Sequence, residues 1–172
     1  MANLVIPVGQ YFDTDNVISV KVPAGQTLSD GAILVASVLD TATGNDVYAA
    51  TVPAAVTDDY LCMVVGDEFY EDSQGNRLGV SDPTQITYKA GNIVRAYRLV
   101  KSRRFKISDG AITGTPVIGQ FLIPTAASTT LTAAATVGTA KYAFMVEKLA
   151  VNVSYAGLTP VTGVIARLVV AE

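Results

Sequence analysis

Apolar and polar positions along this chain group into short runs punctuated by glycine and proline, the rhythm of strands rather than helices. Val17 to Val22 alternates and is rich in β-branched residues, which predicts a strand ended by Pro23-Ala24-Gly25. Ala32 to Leu39 is apolar but for Ser37 and follows Asp30-Gly31, so it reads as a largely buried strand entered through a tight turn. Val47 to Val52 and Tyr60 to Phe69 predict two more strands, with at most a helical turn over Ala54 to Asp59. Ile93 to Val100 predicts a strand whose two arginines point to opposite faces. Thr115 to Pro124 is bounded by prolines, which favours a sheet edge. Lys141 to Val153 and Thr162 to Val170 supply the last two strands. Between them and the edge strand, the uncharged Ala/Thr tract from Thr125 to Ala140 suits a linker, an exposed strand or a loop ordered on a partner. Strands of this length and spacing predict an all-β sandwich or barrel.

Three sequence echoes organise these strands. Ser29-Asp30-Gly31-Ala32-Ile33 returns as Ser108-Asp109-Gly110-Ala111-Ile112. Downstream, Tyr60-Leu61-Cys62-Met63-Val64 is answered by Tyr142-Ala143-Phe144-Met145-Val146, and Arg98-Leu99-Val100 by Arg167-Leu168-Val169. Matches in one order predict an internal pseudo-repeat, two similar β-rich halves. The organisation expected is an N-terminal arm or edge strand over 1–16, a first β repeat over 17–100, a basic connector over 101–107 and a second β repeat over 108–172. The whole can close into one compact domain.

Composition narrows the setting. The chain has 172 residues, of which half are apolar and 16% are charged. Folding at this length buries about 70% of the unfolded surface, so a real core is available, and the apolar surplus points to contact between subunits. No apolar run reaches the ~18 residues of a membrane span, and the first residues lack the basic leader and hydrophobic stretch of a signal peptide. The expectation is therefore no membrane and assembly in a reducing cytoplasm. The single cysteine, Cys62, lies within an apolar strand, where an inert core role is expected.

Catalytic chemistry finds little to work with. The chain has no His, so the usual nucleophile–base pairs cannot be built, and zinc would have one Cys for a ligand set. Lys101-Ser102 and Lys106 near Ser108 offer a formal Ser-Lys pair, but sequence neighbours on a strand face opposite ways. Asp58/Asp59 and the group Asp67, Glu68, Glu71 and Asp72 are the carboxylate candidates, for acid–base work or for Ca²⁺. Glu71 to Asn76 misses the calcium-loop spacing, and a solvated loop explains the acids more simply. Gly110 to Gly114 fits no phosphate-loop or dinucleotide pattern, and Asn152-Val153-Ser154 means little as a glycosylation triplet without a secretion signal. No catalytic residue, cofactor or metal is expected, and the protein reads as a non-enzyme.

Charge segregation is the feature that stands out. Arg95, Arg98, Lys101, Arg103, Arg104 and Lys106 place six of the twelve basic residues in one short stretch, with Tyr97 and Phe105 interleaved. Arginine with aromatics suits a protein interface or a phosphate surface. The net charge of -3 argues against nucleic acid and for an acidic protein partner. The acids Asp67, Glu68, Glu71 and Asp72 could meet this basic stretch on another copy, which predicts a homo-oligomer.

The short Val-, Ala- and Thr-rich strands, the Ser-Asp-Gly-Ala-Ile turns and the Val22-Pro23-Ala24-Gly25-Gln26 element resemble the small auxiliary proteins of tailed-bacteriophage heads, the capsid decoration or cement proteins. The resemblance is one of style over most of the chain, and it carries over no functional residue. It implies a β-rich structural protein of the virion that binds the major capsid protein on the outer shell and stabilises it by bridging capsid subunits, after assembly in the host cytoplasm. A tail, neck or fibre-base component shares the same composition. A carbohydrate-binding β-sandwich would use exposed aromatics, for which the chain has eight Tyr but no Trp.

Overall fold

The computed structural model describes residues 5–8, 16–42, 46–65, 69–71, 77–79, 87–153 and 160–171, with backbone alone for 69–71 and 77–79. Among the described residues there is no α-helix, and sixteen strands carry the fold. The all-β expectation holds.

Five strands close a barrel. They are β2 (Val17–Lys21), β4 (Ile33–Leu39), β5 (Val47–Thr51), β6 (Leu61–Val64) and β10 (Ile93–Arg98), in the order β10-β2-β5-β4-β6. All neighbours run antiparallel except β2 and β5, which are parallel with Ser19 opposite Val47. Five strands enclose a narrow lumen, and the sequence fills it with small side chains: Val20, Ala36, Ala50, Cys62, Val64 and Ala96. A two-stranded ribbon of β3 (Thr27–Leu28) and β9 (Tyr88–Lys89) adds Leu28 and Tyr88 to that core, where the Tyr88 hydroxyl donates to Asp30 Oδ1 at 3.1 Å. A second ribbon joins β7 (Phe69–Glu71) to β8 (Arg77–Gly79).

The other layer is a seven-stranded sheet. Its order is β1-β11-β16-β15-β13-β14-β12, from β1 (Val5–Val8), β11 (Arg104–Ser108), β12 (Ile112–Thr113), β13 (Phe121–Pro124), β14 (Leu131–Ala134), β15 (Tyr142–Val153) and β16 (Val161–Ala171). Within 1–16, then, Val5–Val8 is an edge strand of the chain's own sheet. The stretch read as a basic connector holds most of β11, because Arg104, Phe105, Lys106 and Ile107 alternate in the two-residue period of a strand. The edge position expected for Thr115 to Pro124 is corrected: only Phe121–Pro124 is a strand, and it lies between β15 and β14. Pro124 is tolerated there because β15 pairs only with Phe121 and Leu122, so the proline sits past the last rung on that side.

The barrel packs on the sheet through strands buried on both sides. Leu61 and Met63 of β6 face the sheet, while Cys62 and Val64 face the lumen; all four are buried. Ile33 and Leu34 of β4 divide in the same way. From the sheet come Phe105, Leu122, Phe144, Val146 and Leu168, with the Phe105 and Phe144 rings edge to face at 5.9 Å. Backbone bonds staple the layers: Ile33 N–H donates to Thr129 O at 2.8 Å and Ala127 N–H to Pro53 O at 2.7 Å. Lys141 Nζ adds an ion pair with Asp59 Oδ1 at 2.7 Å. The Ala/Thr tract is thus tied to the barrel of its own chain and contributes β14.

The internal pseudo-repeat is not confirmed. One echo half closes a barrel and the other builds an open sheet. Gly31 takes φ +80, whereas Gly110 lies in a 3-10 turn over Asp109–Ala111. The echoes nevertheless converge on the central core: a Cβ on Gly31 would lie 3.0 Å from that of Ala111, and Leu99 and Leu168 share one cluster.

Candidate functional site

The face of the seven-stranded sheet turned away from the barrel carries a cluster of charged side chains. Strand parity creates it. Phe105 and Ile107 of β11, Ala166 and Leu168 of β16, and Phe144 and Val146 of β15 point to the core, so their neighbours point out. Register then aligns those neighbours in two rungs. Arg104 stands opposite Arg167, which stands opposite Met145; Lys106 stands opposite Ile165, which stands opposite Lys148. The register shift between Val146 and Lys148 marks a bulge that adds Glu147 to the same neighbourhood.

Glu147 holds the two arginines together. Its Oε2 lies 2.8 Å from Arg104 Nε, and its Oε1 accepts a longer bond from Arg104 Nη2 at 3.4 Å. Arg167 Nε lies 2.9 Å from Oε1, but its N–H is not aimed at that oxygen, so this contact is an ion pair rather than a hydrogen bond. Like charges directly opposite on neighbouring strands repel. One carboxylate therefore offsets two guanidinium groups, and the triad keeps a positive charge. Apolar side chains border it: Val8 pairs with Arg104 at the β1 edge, and Ile6, Ile165, Val151, Val153 and Val161 form a small cluster on this face.

The basic stretch read from sequence does not form one patch. Arg104 and Lys106 belong to the sheet face. Arg95 is exposed on the barrel strand β10, with its inward neighbours Val94 and Ala96 in the lumen. Arg98 is half-buried and donates through Nη2 to the Tyr48 hydroxyl at 2.6 Å, its guanidinium carbon 5.0 Å from that ring's centroid. Lys101 is exposed in the turn between the layers, and Arg103 is half-buried beside it, its carbonyl accepting from Leu168 N–H at 2.8 Å. Of the acids, Asp67, Glu68 and Asp72 lie outside the described residues, and Glu71 ends β7 in register with Arg77.

Sequence reading missed Glu147, Lys148 and Arg167 as members of this face. Their signal was the echo of Arg98 in Arg167, but only the pairing of β11 with β16 shows which residues meet. Cys62 is where it was expected, buried, with burial pushing its thiol up to about 12 against the opposing pull of Arg98. Among the described residues no group of three or more Cys, Asp or Glu could hold a metal ion, and no helix is long and apolar enough to cross a membrane. No protein-family model matches the chain, and no curated protein sequence matches it at a significant level.

Proposed function

We propose that this chain is a non-enzymatic structural protein of a virus particle, a decoration or cement protein that binds the capsid shell and stabilises it by bridging capsid subunits. The observation that carries the reading is the outward face of the seven-stranded sheet, where two rungs of cations bordered by apolar side chains meet solvent on a rigid two-layer β scaffold. Such a face suits attachment to another protein better than it suits chemistry. Exposed Val38, Ile93 and Ile118 add apolar area elsewhere on the surface. The stylistic resemblance to phage head auxiliary proteins supplies the partner class. Each copy would add a modest amount of burial and charge pairing, and repetition over a shell would multiply it.

Quantitative mass spectrometry of purified particles of the virus whose genome encodes the chain is the test. The expected result is many copies per particle in a fixed ratio to the major shell protein, released before the shell itself opens. Absence from particles, or only a few copies per particle, would overturn the reading; the second result would move the chain to the tail or neck.

A further inference from the structure

The outer face of the sheet has a definite chemical bias. Among the described residues, Arg104, Lys106, Lys148 and Arg167 are offset there by Glu147 alone, a surplus of three positive charges on a chain whose net charge is -3, so the rest of the chain sums to -6. Neighbouring strands stand about 4.8 Å apart, and same-face residues along a strand about 7 Å apart, so these charges share a patch roughly one nanometre across. Arg104 and Arg167 have side-chain exposures of 52% and 39%, which leaves both within reach of a partner. Registering two arginines costs the sheet stability, a cost that Glu147 offsets only in part because one carboxylate serves both.

We infer that this face docks against a carboxylate-rich surface of a protein partner, with Arg104 and Arg167 as the central anchors and Lys106 and Lys148 as flanking contacts. The proposal rests on the structural reading above for the partner's identity as a shell subunit. One observation favours a protein surface over a nucleic-acid backbone: Ile6, Ile165 and Val8 border the patch, and a mixture of apolar side chains and arginine matches a protein interface, whereas a phosphate backbone has little apolar surface to set against it. Arginine forks also pair with carboxylates in two-point geometry, which gives register as well as attraction.

The test titrates the full chain with poly-L-glutamate, and separately with a short DNA duplex of equal charge, at low salt and followed by amide NMR shifts. The expected result is shift changes centred on β11, β15 and β16, with tighter binding of poly-L-glutamate than of DNA. Arg104→Ala/Arg167→Ala should weaken poly-L-glutamate binding about tenfold or more, and Glu147→Gln should strengthen it about threefold. The charge-matched control Lys89→Ala/Lys101→Ala should stay within about twofold of the original. Lys106→Ala/Lys148→Ala serves as a second pair if the arginine variant fails to fold. Equal loss in the control, shifts centred on the barrel, or tighter DNA binding would overturn the inference. So would sedimentation showing that the face is covered by a second copy, as concentration-dependent association abolished by the arginine variant. A chain abundant in particles whose arginine variant still binds shells normally loses this face and keeps the structural role. A chain absent from particles that still passes the titration keeps the face and loses the shell as its partner.

Discussion

Cys62 keeps its proton because its sulfur lies in the barrel lumen, where burial raises the thiol from the ordinary 9.0 to about 12 while Arg98 pulls the other way. The folded state thus holds a proton that the unfolded chain releases above about pH 9. Stability from this group is full below that pH and falls as pH climbs from 9 to about 12, by up to ~1.4 kcal/mol per unit. Tyr142, its phenol also pushed up chiefly by burial, acts in the same direction with or without the thiol. Cys62→Ala should therefore start out less stable through lost packing, and its deficit should narrow between pH 8 and 11 in urea midpoints. A constant deficit would mean that the thiol titrates alike in both states. Burial of Cys62 was legible because its neighbours from Leu61 to Val65 are all apolar. The Arg104–Glu147–Arg167 triad was not, since its members sit far apart in sequence and only inter-strand hydrogen bonding decides who faces whom.

Strands show the same division between what is local and what is not. β2, β4, β5, β6, β10, β15 and β16 were legible from β-branched or alternating runs between Gly and Pro breaks. β11 was hidden by its charges, which drew attention from an alternating pattern only five residues long. β13 was misplaced because proline marks the end of a ladder as readily as the edge of a sheet. The β11–β16 pairing also depends on an absence. A Cβ at Gly163 would lie 2.2 Å from Ile107 O and 2.8 Å from Ser108 Cα, with main chain on both counts and nothing flexible to give way. Gly163→Ala should destabilise the protein by about 3 kcal/mol, read as a lower urea midpoint at unchanged slope. A loss below about 0.5 kcal/mol would show that the pairing relaxes there.

At the scale of the whole molecule, the boundary near residue 100 separates barrel strands from most sheet strands, yet the cores are not separable. Ile33, Leu61, Met63, Val65 and Leu99 are barrel-side residues whose cover comes from the sheet. Residues 17–100 produced alone should expose that face and give a collapsed or aggregating chain without dispersed amide resonances; a well-folded monomeric fragment would show that the barrel is self-sufficient. Barrel closure itself could not be read from sequence, because it depends on the parallel contact of β2 with β5 and the return of β10 to β2. The β1–β11 rungs carry a consequence for synthesis. Val5–Val8 pairs with Arg104–Ile107, roughly a hundred residues downstream. At about 5–20 residues per second on the ribosome, β1 waits some seconds for its mate. Until β11 emerges, β1 therefore stays an unmated apolar strand in the nascent chain, open to non-native pairing for that interval.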